Sequence, residues 1–214
     1  MKTKGAIFDV DGTLLDTMPA WHDDGARYLA GLGIEAEPGL GDRLFAETSL
    51  TAAAYIIERY GLDKTVDEVA DGLIKEMQDY YFNHAVPKEG ALELLDRMDE
   101  EGIPMTIVTS TDGYCIKAAF DRLGLTDRFI AIYSAADLGM KKSEPDIFYM
   151  AAEKMGTRPE ETLVFEDGLY AIDTANAAGF MTVGIYDIIS EKEQDDIRER
   201  SDIYLKDLRD FELI

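Results

Sequence analysis

Gly5-Ala6-Ile7-Phe8-Asp9-Val10-Asp11-Gly12-Thr13 is the stretch that decides the fold of this 214-residue chain. Its first residues form a short apolar run that stops abruptly at acids, the pattern of a strand buried on both faces. Residues two apart on an extended chain point the same way, so Asp9 and Asp11 converge on one small volume. Two close carboxylates repel each other and any phosphate dianion. A site that used both on a phosphate would need a compensating cation, most naturally Mg²⁺ on oxygen ligands. Taken alone, the string also suits an Asx turn after a strand, with no chemistry attached.

The same pattern recurs in Met105-Thr106-Ile107-Val108-Thr109, Thr162-Leu163-Val164-Phe165-Glu166 and Thr182-Val183-Gly184-Ile185-Tyr186-Asp187, with a weaker candidate at Ile130-Ala131-Ile132-Tyr133. Helical periodicity falls between these runs, at 89–101, 114–123, Asp146–Met155 and 171–178, the last stopped by Gly179. Strands alternating with helices predict right-handed βαβ units and a doubly wound parallel sheet. That is an α/β, Rossmann-like core whose ligands sit at the carboxyl ends of the strands. The acids Glu166-Asp167 end one of those strands and offer further hard oxygen ligands on the same rim.

Residues 17–87 break the alternation, because they carry no strand signal. Three helices account for them. Pro19 opens the first, with Trp21, Tyr28, Leu29 and Leu32 on one face and Gly33 closing it. Ser49 caps the second, which runs through Tyr60 to a stop at Gly61. Thr65-Val66-Asp67-Glu68 is a capping box for the third, which runs towards Phe82. The expected organisation is a helical cap domain at 17–87 inserted into a core of 1–16 and 88–214, with hinges at Asp16-Thr17 and Val86-Pro87. The acidic run 191–200 reads as the solvated face of a helix.

Composition narrows the function. There are 21 Lys and Arg against 44 Asp and Glu, a formal charge of −23, and 46% of the residues are hydrophobic. That hydrophobic share supplies a real core, which argues against disorder and against a small disulfide scaffold. Excess carboxylate repels the phosphate backbone of nucleic acid and the anionic face of a membrane, so neither is an expected partner. The single cysteine, Cys115, has no intramolecular partner, which suits a reducing compartment. Ala6-Ile7-Phe8 is too short for the apolar core of a signal peptide, and no run approaches the ~18 apolar residues of a membrane span. A cytoplasmic protein is expected.

With these runs in place, the sequence resembles the haloacid dehalogenase superfamily of phosphotransferases, whose four motifs occur in order. They are Asp9-Val10-Asp11-Gly12-Thr13, Thr109 at the end of its strand, Lys142 in Lys142-Ser143-Glu144-Pro145-Asp146, and Glu166-Asp167. The insert directly after the first motif, with Asp16-Thr17 and the 171–179 pattern, further resembles the β-phosphoglucomutase and phosphoglycolate phosphatase branch. The resemblance implies roles that the chemistry supports. Asp9 would be the nucleophile and form an aspartyl phosphate, while Asp11 would protonate the leaving oxygen and later deprotonate water. Thr109 through its hydroxyl, Ser110 through its amide, and Lys142 would hold the transferring oxygens. Mg²⁺ would bridge Asp9, the Asp11 carbonyl and Asp167, with Glu166 either a direct ligand or one layer further out.

Two departures from the family pattern stand out. Lys141-Lys142-Ser143 leaves two candidate lysines, and Lys142 is preferred because it lies three residues before Pro145-Asp146. Gly168-Leu169 follows the fourth motif where serine or alanine is common, a change assigned to loop packing. Outside the motifs, His22 reads as a surface histidine before a substrate contact, and His84 and Cys115 have no metal-ligand spacing. Cys115 reads as a small packed residue, and the nine methionines and Tyr80-Tyr81-Phe82 as packing.

The leading expectation is a Mg²⁺-dependent phosphatase acting on a small phosphorylated metabolite, preferentially a sugar phosphate, with no obligatory protein partner. A sugar-phosphate mutase of the β-phosphoglucomutase type is the alternative, and a non-catalytic phosphate-binding module comes third. A mutase must hold a second phosphate on the insert. Residues 17–87 oppose that with five cations, Arg27, Arg43, Arg59, Lys64 and Lys75, against thirteen acids. Arg43 and Lys75 are the expected candidates for that role. Selectivity is assigned to Met18–His22 and to 41–47.

Overall fold

The computed structural model of the chain describes residues 3–45 and 47–213. Among them are six strands: β1 (Gly5–Phe8), β2 (Met105–Thr109), β3 (Ala131–Ser134), β4 (Thr162–Glu166), β5 (Met181–Ile185) and β6 (Ile203–Leu205). They pair in parallel as one sheet of order β3-β2-β1-β4-β5-β6. β1, β2 and β4 are buried along their whole length, whereas the edge strands β3 and β6 bury only their last residue. This explains the weak signal of the 130–133 run. It also explains why β6 escapes sequence reading, since three residues, two of them half-buried, carry too little periodicity.

The insert helices are α1 (Met18–His22), α2 (Asp24–Gly31), α3 (Leu40–Leu44), α4 (Ser49–Tyr60) and α5 (Val66–Asn83). The core helices are α6 (Ala91–Glu100), α7 (Gly113–Leu123), α8 (Ala135–Leu138), α9 (Asp146–Met155), α10 (Leu169–Ala177) and α11 (Gln194–Arg200). Alternation along the strands sorts the side chains onto two faces. Ile7, Val108 and Val164 meet Ile147, Phe148, Ala151 and Ala152 of α9 and Ala171 and Ala175 of α10. On the other face Phe8 stacks on Phe165 at 4.4 Å, Phe129 meets Phe8 edge-on at 6.3 Å, and Phe120 of α7 lies 5.4 Å from Phe129. Helices therefore cover both faces, as in a doubly wound α/β fold. The run 191–200 is only partly a solvated face, because Ile197 of α11 is fully buried and Gln194 nearly so.

β1 lies between β2 and β4, so the strand order reverses beside it, and such a switch point opens a crevice at the carboxyl ends. Phe8 stands opposite Ile107 on β2 and Phe165 on β4. One step further, Asp9 leaves its strand beside Glu166, and the Asp9 amide donates to the Phe165 carbonyl at 2.9 Å.

The chain divides into two compact units, Met1–Asp16 with Ala85–Ile214, and Thr17–His84. The return point precedes the one expected from the sequence by three residues. Residues 85–87 belong with the core because the Asp16 amide donates to the Val86 carbonyl at 3.0 Å and Leu15 bridges antiparallel to Pro87.

The second unit has its own core of Tyr28, Leu29, Leu40, Leu44, Ala52, Ala53, Ile56, Val69, Ala70 and Leu73. Gly72 lets α5 approach α2, since a Cβ there would overlap the Tyr28 ring. Three expectations change in this unit. The single helix from Pro19 to Gly33 is two helices, broken at Asp23. Here the Asp24 carboxylate accepts from the Gly25 amide at 2.5 Å, and His22 Nδ1 bonds Asp23 at 2.9 Å, local bonds that compete with helix continuation. Leu32 falls outside α2 and is 41% exposed, not on its buried face. The cap of α4 is Thr48, whose side chain accepts from the Thr51 amide, with Ser49 the first helical residue. The capping box of α5 is formed as the sequence implies. Within 41–47, Ala46 lies outside the described residues.

Candidate active site

The polar ends of two central strands and the loop before α9 bring four charged side chains into one buried place. Asp9 follows β1, Glu166 ends β4 with Asp167 next to it, and Lys142 precedes α9. All four are nearly inaccessible to solvent. Lys142 Nζ donates to Asp9 Oδ1 at 2.6 Å and lies 2.5 Å from Glu166 Oε2. The second contact is ionic without alignment, and Glu166 Oε2 receives no directed hydrogen bond among the described residues. Glu166 Oε1 accepts from the Gly168 amide at 3.0 Å. Of the two adjacent lysines, Lys141 is exposed and Lys142 is in the cluster.

One carboxylate oxygen from each of Asp9, Glu166 and Asp167 falls within 4.8 Å of the others. Burial, then repulsion from Glu166, raises the Asp9 carboxyl to about 8, against the pull of Lys142 and with Asp11 adding to the rise. Burial likewise raises Asp167, helped by Asp9, Glu166 and Asp187 and opposed by Lys88. Lys142 is held charged: burial works against the ammonium, but the two facing carboxylates outweigh it and raise its pKa. One ammonium does not balance three buried carboxylates. A divalent cation would, and a donor set of carboxylates without histidine or cysteine fits a hard ion that prefers oxygen ligands.

Asp11 stands two residues beyond Asp9, and its Oδ2 accepts from the Thr111 hydroxyl at 2.7 Å. Thr109 is fully buried at the end of β2, and its hydroxyl accepts from the Thr111 amide at 3.1 Å. Ser110 is exposed on the same rim, its Oγ 3.3 Å from the Tyr170 hydroxyl. Thr13, the last residue of the opening motif, is fully buried and its hydroxyl has no hydrogen-bond partner among the described residues. His22 lies in the other unit, with Nδ1 2.9 Å from Asp23 and Nε2 3.3 Å from Asp42. Cys115 is buried in α7, as a packed residue would be.

Three contributors escape sequence reasoning. Lys88 Nζ donates to the Gly12 carbonyl at 2.5 Å and to Asp187 Oδ2 at 2.8 Å, with Asp187 buried. Gly12 holds φ at +78°, so the lysine grips the one left-handed point of the Asp9-to-Thr13 loop. Asp187 was legible only as another polar strand ending, and Lys88 carried no motif. Thr111, two residues beyond Thr109, offered no signal except its place on the same rim.

The family model of haloacid dehalogenase-like hydrolases matches residues 3–179. The chain is 28% identical over 183 residues to the fructose-1-phosphate phosphatase of Escherichia coli strain K12, a match that spans 85% of this chain and 95% of that one. It is 30% identical over 206 residues to the phosphoglycolate phosphatase of Escherichia coli O157:H7, spanning 85% of this chain and 81% of the other. In fold it matches the solved β-phosphoglucomutase of Clostridium difficile with a TM-score of 0.68 at 19% identity, over 98% of this chain and 93% of that one. No helix among the described residues is long and apolar enough to cross a membrane.

Proposed function

Since this chain belongs to the haloacid dehalogenase-like hydrolases, we propose that it is a Mg²⁺-dependent phosphatase that cleaves a small phosphate monoester, a sugar phosphate by preference, through an aspartyl phosphate on Asp9. The observation that carries the reading is the buried cluster of Asp9, Glu166, Asp167 and Lys142 with Asp11 on the adjoining turn. Attack by an Asp9 carboxylate oxygen forms the bond to phosphorus as the bond to the leaving oxygen breaks, and Asp11 gives that oxygen its proton. Water then attacks the phosphorus, Asp11 takes its proton, and Asp9 is released. The Thr109 hydroxyl, the Ser110 amide and Lys142 hold the transferring oxygens, where positioned donors count most. Asp9, the Asp11 carbonyl and Asp167 would hold Mg²⁺. The chemistry the ion supplies when bound is neutralisation of charge on the nucleophile and the phosphoryl group. Glu166, engaged by the Gly168 amide and close to Lys142, is assigned to orienting the lysine.

The relatives named as fructose-1-phosphate and phosphoglycolate phosphatases support the substrate class. A mutase needs a second anion site on the insert, and two of the insert's arginines are already engaged. Arg43 donates to Glu47 at 2.6 Å and covers Tyr55, while Arg59 donates to Glu37 at 2.8 Å. Of the two expected candidates, Arg43 is therefore committed, while Lys75, like Lys64 and Arg27, has no ion-pair partner among the described residues; Arg27 lies 4.9 Å from the Tyr80 ring centroid.

The test is a phosphate-release screen over sugar phosphates, nucleotides and phosphoglycolate with Mg²⁺, repeated in excess chelator. Release that disappears in chelator and returns with Mg²⁺ is expected. Full activity after confirmed metal removal overturns the metal assignment. A further arm supplies β-glucose 1-phosphate with catalytic glucose 1,6-bisphosphate. Glucose 6-phosphate forming about tenfold faster than free phosphate, roughly 1.4 kcal/mol of barrier difference, establishes the mutase instead.

A further inference from the structure

Gly168, which stands where serine or alanine is common, is linked in space to Tyr170. A Cβ built on Gly168 would lie 3.2 Å from Tyr170 Cε1 and 3.1 Å from Glu166 Oε1, tighter than ordinary van der Waals contact. The backbone at Gly168 has φ −95°, which any residue adopts. The glycine is thus needed for room and not for conformational freedom. The space it leaves is shared by the Glu166 carboxylate at the end of β4 and the Tyr170 ring from the first turn of α10. The phenol oxygen reaches 3.3 Å from Ser110 Oγ at the exit of β2. One aromatic side chain therefore spans the rim from the loop that carries Glu166-Asp167 to the loop that carries Thr109-Ser110.

The residue is 52% exposed, while its hydroxyl lies 3.3 Å from Ser110 Oγ and feels the charges of Lys142, Glu166 and Asp9. Burial raises the phenol above its ordinary value against the pull of Lys142, and the charges of Glu166 and Asp9 add to the rise. It therefore stays protonated and can donate at neutral pH. Two hydroxyls 3.3 Å apart carry two protons, and only one of them can lie between the oxygens. The other is free to donate to a group bound at the rim.

We propose that Tyr170 is a substrate-contacting residue, its hydroxyl donating to an oxygen of the phosphoryl group held by Ser110 and Lys142, and that Gly168 is the residue that gives its ring room to do so. The inference rests on the phosphatase reading above and adds a donor that the family motifs do not include.

The test is orthophosphate binding in the presence of Mg²⁺, measured by titration calorimetry so that the readout does not depend on turnover. It is run on the wild type, Tyr170→Phe, Gly168→Ala and the double variant, beside kcat/KM for para-nitrophenyl phosphate and a thermal melt. Tyr170→Phe keeps the ring and loses the hydroxyl, and should weaken orthophosphate about tenfold, the effect of one hydrogen bond to a charged group, with an unchanged melting temperature. Gly168→Ala displaces the ring and should cost a similar factor. The double variant should be no weaker than about tenfold, because both changes remove the same contact. Losses that multiply to about a hundredfold overturn the link between the two residues. Wild-type affinity in Tyr170→Phe, in a protein whose wild type binds orthophosphate, overturns the contact while leaving the phosphatase reading in place. A wild type that neither binds orthophosphate nor releases it from any ester overturns both.

Discussion

The carboxylates of the core site and those of the insert belong to one strongly acidic chain and meet opposite circumstances. In the core, Asp9 is brought from the start of the chain to Glu166 and Asp167, the three are buried together, and one lysine stands between Asp9 and Glu166. In the insert, Glu37, Glu47 and Glu68 each meet a partner at the surface. Glu37 accepts from Arg59, Glu47 from Arg43, and Glu68 from its own helix cap at Thr65, and these bonds lower all three pKa values. The core concentrates charge that its own residues do not neutralise, at a cost in stability that a ligand can relieve. The insert spreads charge where water screens it. The contrast marks the core cluster as the place for chemistry and the insert acids as solvated surface, with Asp24 the exception.

The largest effect should come from the core. Asp9→Asn should leave the fold intact and reduce phosphate release to below about a hundredth, because the amide has neither the nucleophilic oxygen nor the charge. Circular dichroism beside the release assay checks it, and a folded variant that keeps more activity removes Asp9 as the nucleophile. Next is the buried pair behind the loop. Lys88→Met strips Asp187 and the Gly12 carbonyl of their cation and should cost about 3 kcal/mol in urea unfolding. The double change Lys88→Met with Asp187→Leu should recover more than half of that. Additive losses would mean that the pair is not a unit.

Asp24 tests whether the insert holds any acid as the core does. Burial raises its carboxyl to about 6, the Gly25 amide opposes this, and Asp23 adds to it. A raised carboxyl means that the folded state binds its proton more tightly than the unfolded chain, so this group's contribution to stability falls as pH rises from about 4 to about 6. Asp24→Asn keeps an acceptor for Gly25 and should gain about 1 kcal/mol at pH 7, discounted for partial exposure, with no gain at pH 4. Thermal melts at the two pH values decide it, and an equal gain at both removes the burial explanation. The smallest effect is at the insert's best local motif. Thr65→Ala breaks the capping box of α5 and should cost about 0.5 kcal/mol at any pH between 6 and 8. No measurable loss in chemical unfolding would show that α5 is held by its packing alone.

Elements whose signal is local were legible. The buried central strands β1, β2 and β4, the Thr65 cap and the Pro19 start each declare themselves within a few residues. Elements whose identity depends on neighbours were not. The break at Asp23 comes from side chains bonding nearby backbone and histidine in competition with the helix, and the exposed Leu32 follows from it. β6 is a strand because β5 offers it an edge, not because its three residues demand one. Among the residues of the candidate site, Asp9, Asp11, Thr109, Lys142, Glu166 and Asp167 could be named from motifs. Lys88, Thr111 and Tyr170 could not, since each meets its partner far away in sequence.

The sequence by itself determined the alternation of buried strand and helix, the placing of acids at strand ends and the interruption by a helical segment, because periodicity and turn chemistry are properties of neighbouring residues. Only the tertiary structure decided that Lys142 stands between Asp9 and Glu166, that Lys88 grips the Gly12 carbonyl and that Tyr170 lies over Gly168 to reach Ser110. A strand's pattern records that it will be buried. Which side chains then meet at its end is set by sheet order and register, which no local stretch of the chain encodes.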